Sequence, residues 1–262
     1  MDGPFESYYA LGLEGKRLTE GADSLELVRT LELLEGVLPS PPADVLDVGG
    51  GPGVYASRLA RNGYRVHLVD VLPLHVEQAL AVAAAQPDAS FTAEVGDARD
   101  LRELKDESAD AVLLLGPLYH LTERDDRVRA LAEARRLLRP KGVVVAAVIS
   151  RFASLLDGTA YGFLDDAQFF AIVERDLRDG QHRNPVPLAR PEWFTTAFFH
   201  RPEDISEEVE AAGLRLERLA GVEGPGRWLA RWPEQAHLIR QAAGLAERIP
   251  ALSAHMLAIA RR

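Results

Sequence analysis

The chain of 262 residues contains no cysteine. This absence excludes disulfide bonds, zinc sites built from thiolates and thiol nucleophiles, and it is typical of a protein in a reducing compartment. No apolar run approaches the roughly twenty residues that a membrane-spanning helix needs, and the first residues have neither a basic start nor an apolar segment. We therefore expect a cytoplasmic protein with no membrane partner and no metal site.

Positive charge is scarcer than negative charge. The chain has 30 lysine and arginine residues against 40 aspartate and glutamate residues, which gives a net charge of -10. Because nucleic-acid backbones are bound mainly through lysine and arginine, this balance disfavours a nucleic-acid partner. The length and a hydrophobic content of 47% suit one elaborated α/β domain with a large core. We expect a monomer or a homodimer.

The most informative segment is an apolar strand over residues 45–48, which contains Asp47 and leads into a glycine-rich turn. The turn has three glycines at alternate positions: Gly49, Gly51 and Gly53. A helical stretch follows over 54–60, and a second apolar strand over 66–69 ends at Asp70. In a parallel βαβ unit, the ligand binds beyond the carboxyl ends of the strands, where glycine lets the backbone approach it closely. The pattern predicts a nucleoside cofactor site with Asp70 beside the ribose.

The glycine spacing differs from the G-x-G-x-x-G frame of dinucleotide sites, which cradles a pyrophosphate. It resembles motif I of the class I S-adenosylmethionine (SAM) methyltransferases, in which an acid such as Asp47 belongs to the cationic methionine end of the cofactor. Further matches follow in the order of that family: a strand over 91–95 ending in Gly-Asp-Ala, an apolar strand over 109–115, a charged helix over 123–138 and a Leu-Arg-Pro-Lys-Gly turn before a strand over 143–149. The resemblance covers residues 43–150.

This resemblance implies an α/β fold with a seven-stranded, mostly parallel sheet whose last strand is antiparallel, with helices on both faces. We expect a single domain with a helical leader over 1–42, a cofactor-binding core over 43–150, a substrate lid inserted over 151–201 and a completion of the sheet over 202–262. It also implies SAM as cofactor, S-adenosylhomocysteine as product, and these cofactor contacts: Asp47, Gly49, Gly51, Gly53, Asp70, Val71, Asp97, Ala98 and Gly116.

The segments outside the core have clear local patterns. Helical spacing or composition predicts helices over 24–38, 165–177, 202–212 and 233–248, and apolar runs predict strands over 214–222 and 255–260. More loosely, the whole chain resembles an actinobacterial-type group of small-molecule methyltransferases, which share the strings Gly-Pro-Leu-Tyr-His-Leu at 116–121 and Gly-Gln-His-Arg-Asn-Pro at 180–185. That resemblance implies no particular substrate.

Methyl transfer from a sulfonium is an in-line displacement, so alignment supplies most of the rate and a base is needed only for weak nucleophiles. The candidate bases are His120, His182 and His200, with Glu223 or Glu174 as alternatives. Six residues are candidates for substrate contact. They lie in the leader, in the loop after the strand over 109–115, in the lid and at the turn at 223: Tyr8, Tyr9, Tyr119, Trp193, Phe194 and Glu223. The acceptor atom, whether oxygen, nitrogen or carbon, stays open.

Two other functions share part of this pattern. A nicotinamide-dependent oxidoreductase has the same βαβ start, but its glycine frame differs from the one here. A non-catalytic SAM-binding sensor or partner subunit would carry the same cofactor motifs. An Asn-Pro-Pro-Tyr-like motif for exocyclic amines of nucleic-acid bases is absent after the fourth strand, where Gly116 and Pro117 stand instead. This disfavours adenine or cytosine methylation.

Overall fold

A computed structural model describes residues 24–226 and 236–262. Within these ranges, nine strands form one mixed sheet with helices on both faces. The strands are β1 Asp44–Val48, β2 Arg65–Asp70, β3 Thr92–Val95, β4 Ala109–Leu114, β5 Leu138–Ser150, β6 Gln181–Arg183, β7 Thr196–His200, β8 Arg215–Gly221 and β9 His255–Arg261. The α-helices are α1 Ser24–Glu35, α2 Val54–Arg61, α3 Pro73–Ala84, α4 Pro117–His120, α5 Arg124–Leu137, α6 Ala153–Tyr161, α7 Ala167–Asp179, α8 Pro202–Ala211 and α9 Ala236–Ala246.

Seven of these strands follow the order β3-β2-β1-β4-β5-β9-β8 across the sheet. The neighbours among β1 to β5 are parallel, whereas β9 runs antiparallel to both β5 and β8. The predicted seven-stranded sheet with its antiparallel last strand is therefore confirmed. All parallel strands place their carboxyl ends at one edge, which is where an open α/β sheet binds its ligand.

The central strands are apolar on both faces because helices cover both faces. One face packs against α5 and α8 through residues such as Leu131 and Ile205, and the other packs against α1, α2 and α3 through residues such as Leu34, Leu59 and Ala79. Residues of β5 alternate between these two cores. The buried layers hold the strand ends, and with them the ligand-binding edge, in fixed register.

The insertion after β5 contains α6, α7, β6 and β7. Ile149 of β5 pairs with His255 of β9 on one edge and with Phe199 of β7 on the other. Since β4 occupies that second edge over the preceding residues, β7 continues the sheet beyond the end of β4. The insertion thus lies beside the carboxyl edge, as its position in the chain predicts.

Several elements were not predicted from the sequence. Helices α3, α4 and α6 have no counterpart among the predictions, and β6 and β7 lie in a segment for which only a helix was expected. The three-residue β6 and the five-residue β7 are specified by their mutual pairing, so local composition indicates them weakly. The leader before residue 24, with Tyr8 and Tyr9, lies outside the described residues. In the two described ranges, no helix combines the length and apolarity needed to cross a membrane.

Candidate functional site

The glycine turn between β1 and α2 has three residues in the left-handed region, with φ of 72° at Gly49, 57° at Gly51 and 86° at Gly53. A side chain at Gly49 would also collide with Pro117, because its Cβ would lie 2.4 Å from the proline ring. Gly53 immediately precedes α2, and a Cβ there would lie 3.0 Å from the ring of Phe91. Glycine is therefore required by backbone conformation and close packing.

Asp70 ends β2 and is buried. Its carboxylate accepts hydrogen bonds from the amides of Gly51 and Leu72, both at 2.9 Å, and lies 3.1 Å from Nδ1 of His75. These contacts tie the glycine turn to the end of β2. A carboxylate has about four lone-pair positions, so three contacts leave Asp70 able to accept a further hydrogen bond from a ligand.

Asp47 is fully buried near the end of β1, and neither of its carboxylate oxygens has a hydrogen-bond partner among the described residues. Burial, followed by the negative charge of Asp70, raises the pKa of Asp47 to about 7. The backbone amide of Ala56 lowers the pKa of Asp47 by a smaller amount, and a positive charge bound beside the carboxylate would stabilise the anion further.

Asp97 follows β3 and is bound by its near neighbour Arg99. The Arg99 guanidinium lies 2.6 Å from the Asp97 carboxylate and 2.9 Å from that of Asp126 at the start of α5. Hydrogen bonding to Arg99 is the main cause that lowers the pKa of Asp97. The aspartate thus carries a negative charge at neutral pH and is held in place between β3 and α5.

A cavity of about 590 Å³ lies at this carboxyl edge. Every predicted cofactor residue except Gly53 lines it: Asp47, Gly49, Gly51, Asp70, Val71, Asp97, Ala98 and Gly116. Tyr119 and His120 of α4 and Thr196 of β7 line it as well. A cavity of this size, with a few polar groups set among apolar ones, suits a small ligand.

Some of the candidate bases and substrate-contact residues lie at the cavity, and the others lie away from it. His120 packs edge-on against Tyr119, with ring centroids 4.7 Å apart, and its ring lies 5.6 Å from that of Phe194 in the insertion. The hydroxyl of Tyr119 donates to the carbonyl of Leu115 at 3.3 Å. His120 therefore contacts its own helix α4 on one side and the insertion on the other.

His182 and His200 are both buried and do not line the cavity. His182 lies 2.8 Å from Asp176 through Nδ1 and 2.9 Å from the carbonyl of Trp193 through Nε2. His200 lies 3.3 Å from Glu208, and burial lowers its pKa. Each ring is enclosed by protein groups, so this placement gives no support to the predicted role of either residue as the base.

Trp193 is also buried away from the cavity, with its ring 5.4 Å from that of Phe169 in the core of the insertion. The predicted substrate contact by Trp193 is not supported by this position. Glu174 is exposed on α7 and does not line the cavity either. Aromatic composition pointed to the insertion as a whole, but it could not indicate which rings face inward.

Glu223 lies at the end of β8, almost fully buried, and does not line the cavity. It accepts a hydrogen bond from Ser253 Oγ at 2.8 Å and contacts the imidazole of His255, so it ties the ends of β8 and β9 together. A carboxylate oxygen of Glu223, one of Glu26 and an imidazole nitrogen of His255 all lie within 4.8 Å of one another. Of these three residues, Glu26 of α1 lines the cavity.

Sequence reasoning missed several residues of the site: Glu26, His75, Arg99, Asp126 and Thr196. Arg99 could have been suspected, because it follows Asp97 by two residues and neighbouring side chains of opposite charge often pair. Glu26 and Thr196 are far from the motifs in sequence, and nothing local distinguishes them from other polar residues on a helix or strand. Only folding brings them to the cavity.

The chain matches the methyltransferase domain family over residues 45–142. An uncharacterized methyltransferase of Mycobacterium tuberculosis is 36% identical over 111 residues, which are 42% of this chain and 42% of that protein. The chain thus spans less than half the length of that relative. A ubiquinone biosynthesis O-methyltransferase of Xanthomonas oryzae is 30% identical over 196 residues, covering 73% of this chain and 71% of that protein.

Solved structures share the fold at low sequence identity. A SAM-dependent methyltransferase from Mesorhizobium loti is 17% identical, with a TM-score of 0.63 over 91% of this chain and 100% of that one. One from Methanosarcina mazei is 16% identical, with a TM-score of 0.60 over 88% and 96%. Taken with the strand order, the glycine turn and the relative matched over most of its length, these likenesses identify the chain as a member of the class I SAM-dependent methyltransferases.

Proposed function

We propose that this protein transfers the methyl group of SAM to a small organic acceptor. The observation that carries the proposal is the cavity at the carboxyl edge, where the ends of β1 and β2, the segment after β3 and the loop after β4 all contribute lining residues. The relatives named as methyltransferases support the same activity. The cavity combines acids that suit a nucleoside cation with a separate group of rings near the insertion.

The residues present fit SAM. Asp47 is a buried carboxylate with no hydrogen-bond partner among the described residues, and it suits the cationic methionine end. Asp70 keeps acceptor capacity for the ribose hydroxyls, and Asp97 with Ala98 suits the adenine end. A side chain at Gly51 would meet no protein atom within 4 Å, so this glycine leaves the turn open toward the cavity. When bound, SAM supplies an already activated methyl group.

The acceptor would lie near Tyr119, His120 and Thr196, which line the cavity close to the insertion. His120 is our candidate for the group that removes a proton from the acceptor, because His182 and His200 do not border the cavity. The limited volume of the cavity favours a small acceptor. An oxygen nucleophile is one of three possibilities, and the Xanthomonas relative is named as an O-methyltransferase.

Two measurements test the proposal. S-adenosylhomocysteine should bind in calorimetry, and Asp70→Ala should weaken that binding by about 1 to 3 kcal/mol because a charged acceptor is lost from a buried site. Asp88→Ala, which removes an exposed aspartate outside the cavity, is the matched control and should leave the affinity unchanged.

Turnover of SAM with a panel of phenols, amines and carbon nucleophiles then tests the chemistry. Formation of S-adenosylhomocysteine that depends on one acceptor would support the enzyme. Tight binding without turnover on any acceptor would instead favour a non-catalytic SAM-binding subunit. Absence of S-adenosylhomocysteine binding by the folded protein would contradict the proposal.

A further inference from the structure

Two polar side chains from the Gly-Gln-His-Arg-Asn-Pro string reach across the insertion to one short backbone segment. Nε2 of His182 lies 2.9 Å from the carbonyl of Trp193. Nδ2 of Asn184 donates to the carbonyl of Phe194 at 2.8 Å and to that of Arg190 at 2.9 Å. Both side chains are buried, so these hydrogen bonds are made away from competing water.

The backbone that they bind is strained. Phe194 has φ of 67° and ψ of -156°, a region that is almost restricted to glycine. Residues in such conformations persist only where the surroundings hold them, and they concentrate at ligand clamps and functional sites. Here the carbonyls of Trp193 and of Phe194 itself are both held, one by His182 and the other by Asn184.

His182 is itself anchored within the insertion. Its Nδ1 lies 2.8 Å from Asp176, which also accepts a hydrogen bond from Ser154 Oγ at 2.6 Å. Its ring stacks on that of Phe199 in β7, with centroids 4.5 Å apart and an interplanar angle of 11°. These contacts fix the orientation of the imidazole. Through its Nε2 atom, the imidazole in turn holds the carbonyl of Trp193 in place.

The strained conformation directs the Phe194 ring toward the residues of α4. The ring lies 5.6 Å from that of His120 and 6.2 Å from that of Tyr119, and both of these line the cavity. Two residues later, Thr196 lines the cavity too. A glycine at 194 would relieve the strain but would remove the ring, so the ring contact is the feature that the strain maintains.

We infer that His182 and Asn184 are positioning residues. They hold residues 193–194 so that the Phe194 ring packs against His120 and sets the orientation of its imidazole at the acceptor end of the cavity. This inference rests on the proposed methyl transfer, because it assigns the insertion a role in aligning that reaction. It also gives His182 a role different from the predicted one as a base.

We call the hydrogen bonds from His182 and Asn184 to the carbonyls of residues 193 and 194 the clamp. The test breaks the clamp at Asn184, which does not line the cavity. In the full-length protein saturated with S-adenosylhomocysteine, the imidazole signals of His120 are followed by NMR and assigned through their loss in His120→Asn. Asn184→Ala should move these signals because it releases the carbonyl of Phe194, and Phe194→Leu should move them by removing the ring. With an acceptor that turns over, Asn184→Ala should lower kcat about tenfold while S-adenosylhomocysteine affinity stays within about twofold, because small misplacements cost rate more than binding.

Asp166→Ala is the matched control. It removes the N-cap of α7 in the same insertion, where Asp166 accepts from the amide of Gln168 at 2.8 Å, and so destabilises the insertion without breaking the clamp. Unchanged His120 signals in Asn184→Ala, or an equal change in Asp166→Ala, would overturn the inference. If Asn184→Ala does not fold, unchanged signals in Phe194→Leu would overturn it instead. If the proposed methyl transfer is wrong, no acceptor will turn over. The NMR measurement needs no turnover, so it still tests whether the clamp sets the orientation of His120.

Discussion

At the scale of single residues, Asp47 has the most unusual environment in the site. Its carboxyl is fully buried and its pKa is raised to about 7, mainly by burial and then by the charge of Asp70. Between the ordinary value of 3.8 and about 7, the folded protein holds a proton at Asp47 that the unfolded chain has lost. By linkage, this residue makes the free energy of unfolding fall as the pH rises through that window.

Asp47→Asn should therefore stabilise the ligand-free protein above pH 7 and have little effect near pH 4. The rise in the pKa of Asp47 from 3.8 to about 7 limits this gain to about 4 kcal/mol. Urea unfolding at several pH values measures it, with Asp88→Asn, at an exposed position outside the cavity, as the control. A gain that is equal at all pH values would show that Asp47 does not titrate in this range.

His120 carries the second prediction at this scale. If it removes the proton of the acceptor, His120→Ala should lower turnover by about a hundredfold or more and leave S-adenosylhomocysteine affinity nearly intact, because a general base contributes 10² to 10⁴ in rate. The acid limb of the pH–rate profile should disappear in the variant. His67→Ala is the control, since His67 on β2 does not line the cavity. Turnover above about half of the wild-type rate would make His120 a structural residue.

At the scale of elements, a buried ion pair joins the loop after α4 to two helices. Nη2 of Arg127 on α5 lies 2.7 Å from Glu208 on α8, and Nη1 donates to the carbonyls of Leu121 and Thr122 at 2.8 and 2.9 Å. Burial raises the pKa of Glu208, but hydrogen bonds from His200 and Arg127 outweigh it and lower the pKa overall. Because Leu121 and Thr122 line the cavity, this pair supports the loop that follows His120.

Arg127→Met should destabilise the protein by about 3 to 5 kcal/mol, because it leaves Glu208 buried without its charge partner. The double variant Arg127→Met with Glu208→Gln should recover part of that loss, since the remaining buried charge is removed. Arg129→Met is the matched control on the same helix. Arg129 is exposed and pairs with Asp126 at 3.7 Å, so its loss should cost less than about 1 kcal/mol. Chemical unfolding of the wild type and the three variants gives the comparison, and equal losses for Arg127→Met and Arg129→Met would contradict it.

At the scale of the whole molecule, ligand binding at the edge of the sheet should stabilise the complete fold. At a concentration of about 100 times its Kd, a ligand adds about 2.7 kcal/mol, which corresponds to a rise in Tm of roughly 5 to 10 °C for a chain of this size. S-adenosylhomocysteine should produce such a rise in a thermal melt, and NAD should not. A larger rise with NAD would contradict the proposed cofactor.

The order of the elements was predictable because it depends on local patterns. Strands β1, β2 and β4 lie within one residue of their predicted positions, whereas β5 covers its predicted range but begins five residues earlier, at Leu138. The insertion was harder to predict. Strands β6 and β7 are stabilised by pairing with each other and with the end of β5, and such non-local contacts leave little trace in a short segment.

The sequence alone determined the side of the sheet on which the site lies and most of the groups that suit the cofactor. Strand, turn and acid succeed one another within a few residues, and the carboxyl ends of parallel strands must meet at one edge. It could not decide among the three candidate histidines. Burial depends on packing between distant elements, and only the tertiary structure encloses His182 and His200 while leaving His120 at the cavity. The same long-range packing brings Glu26 and Thr196 to the site and turns the string around His182 and Asn184 into a support for Phe194.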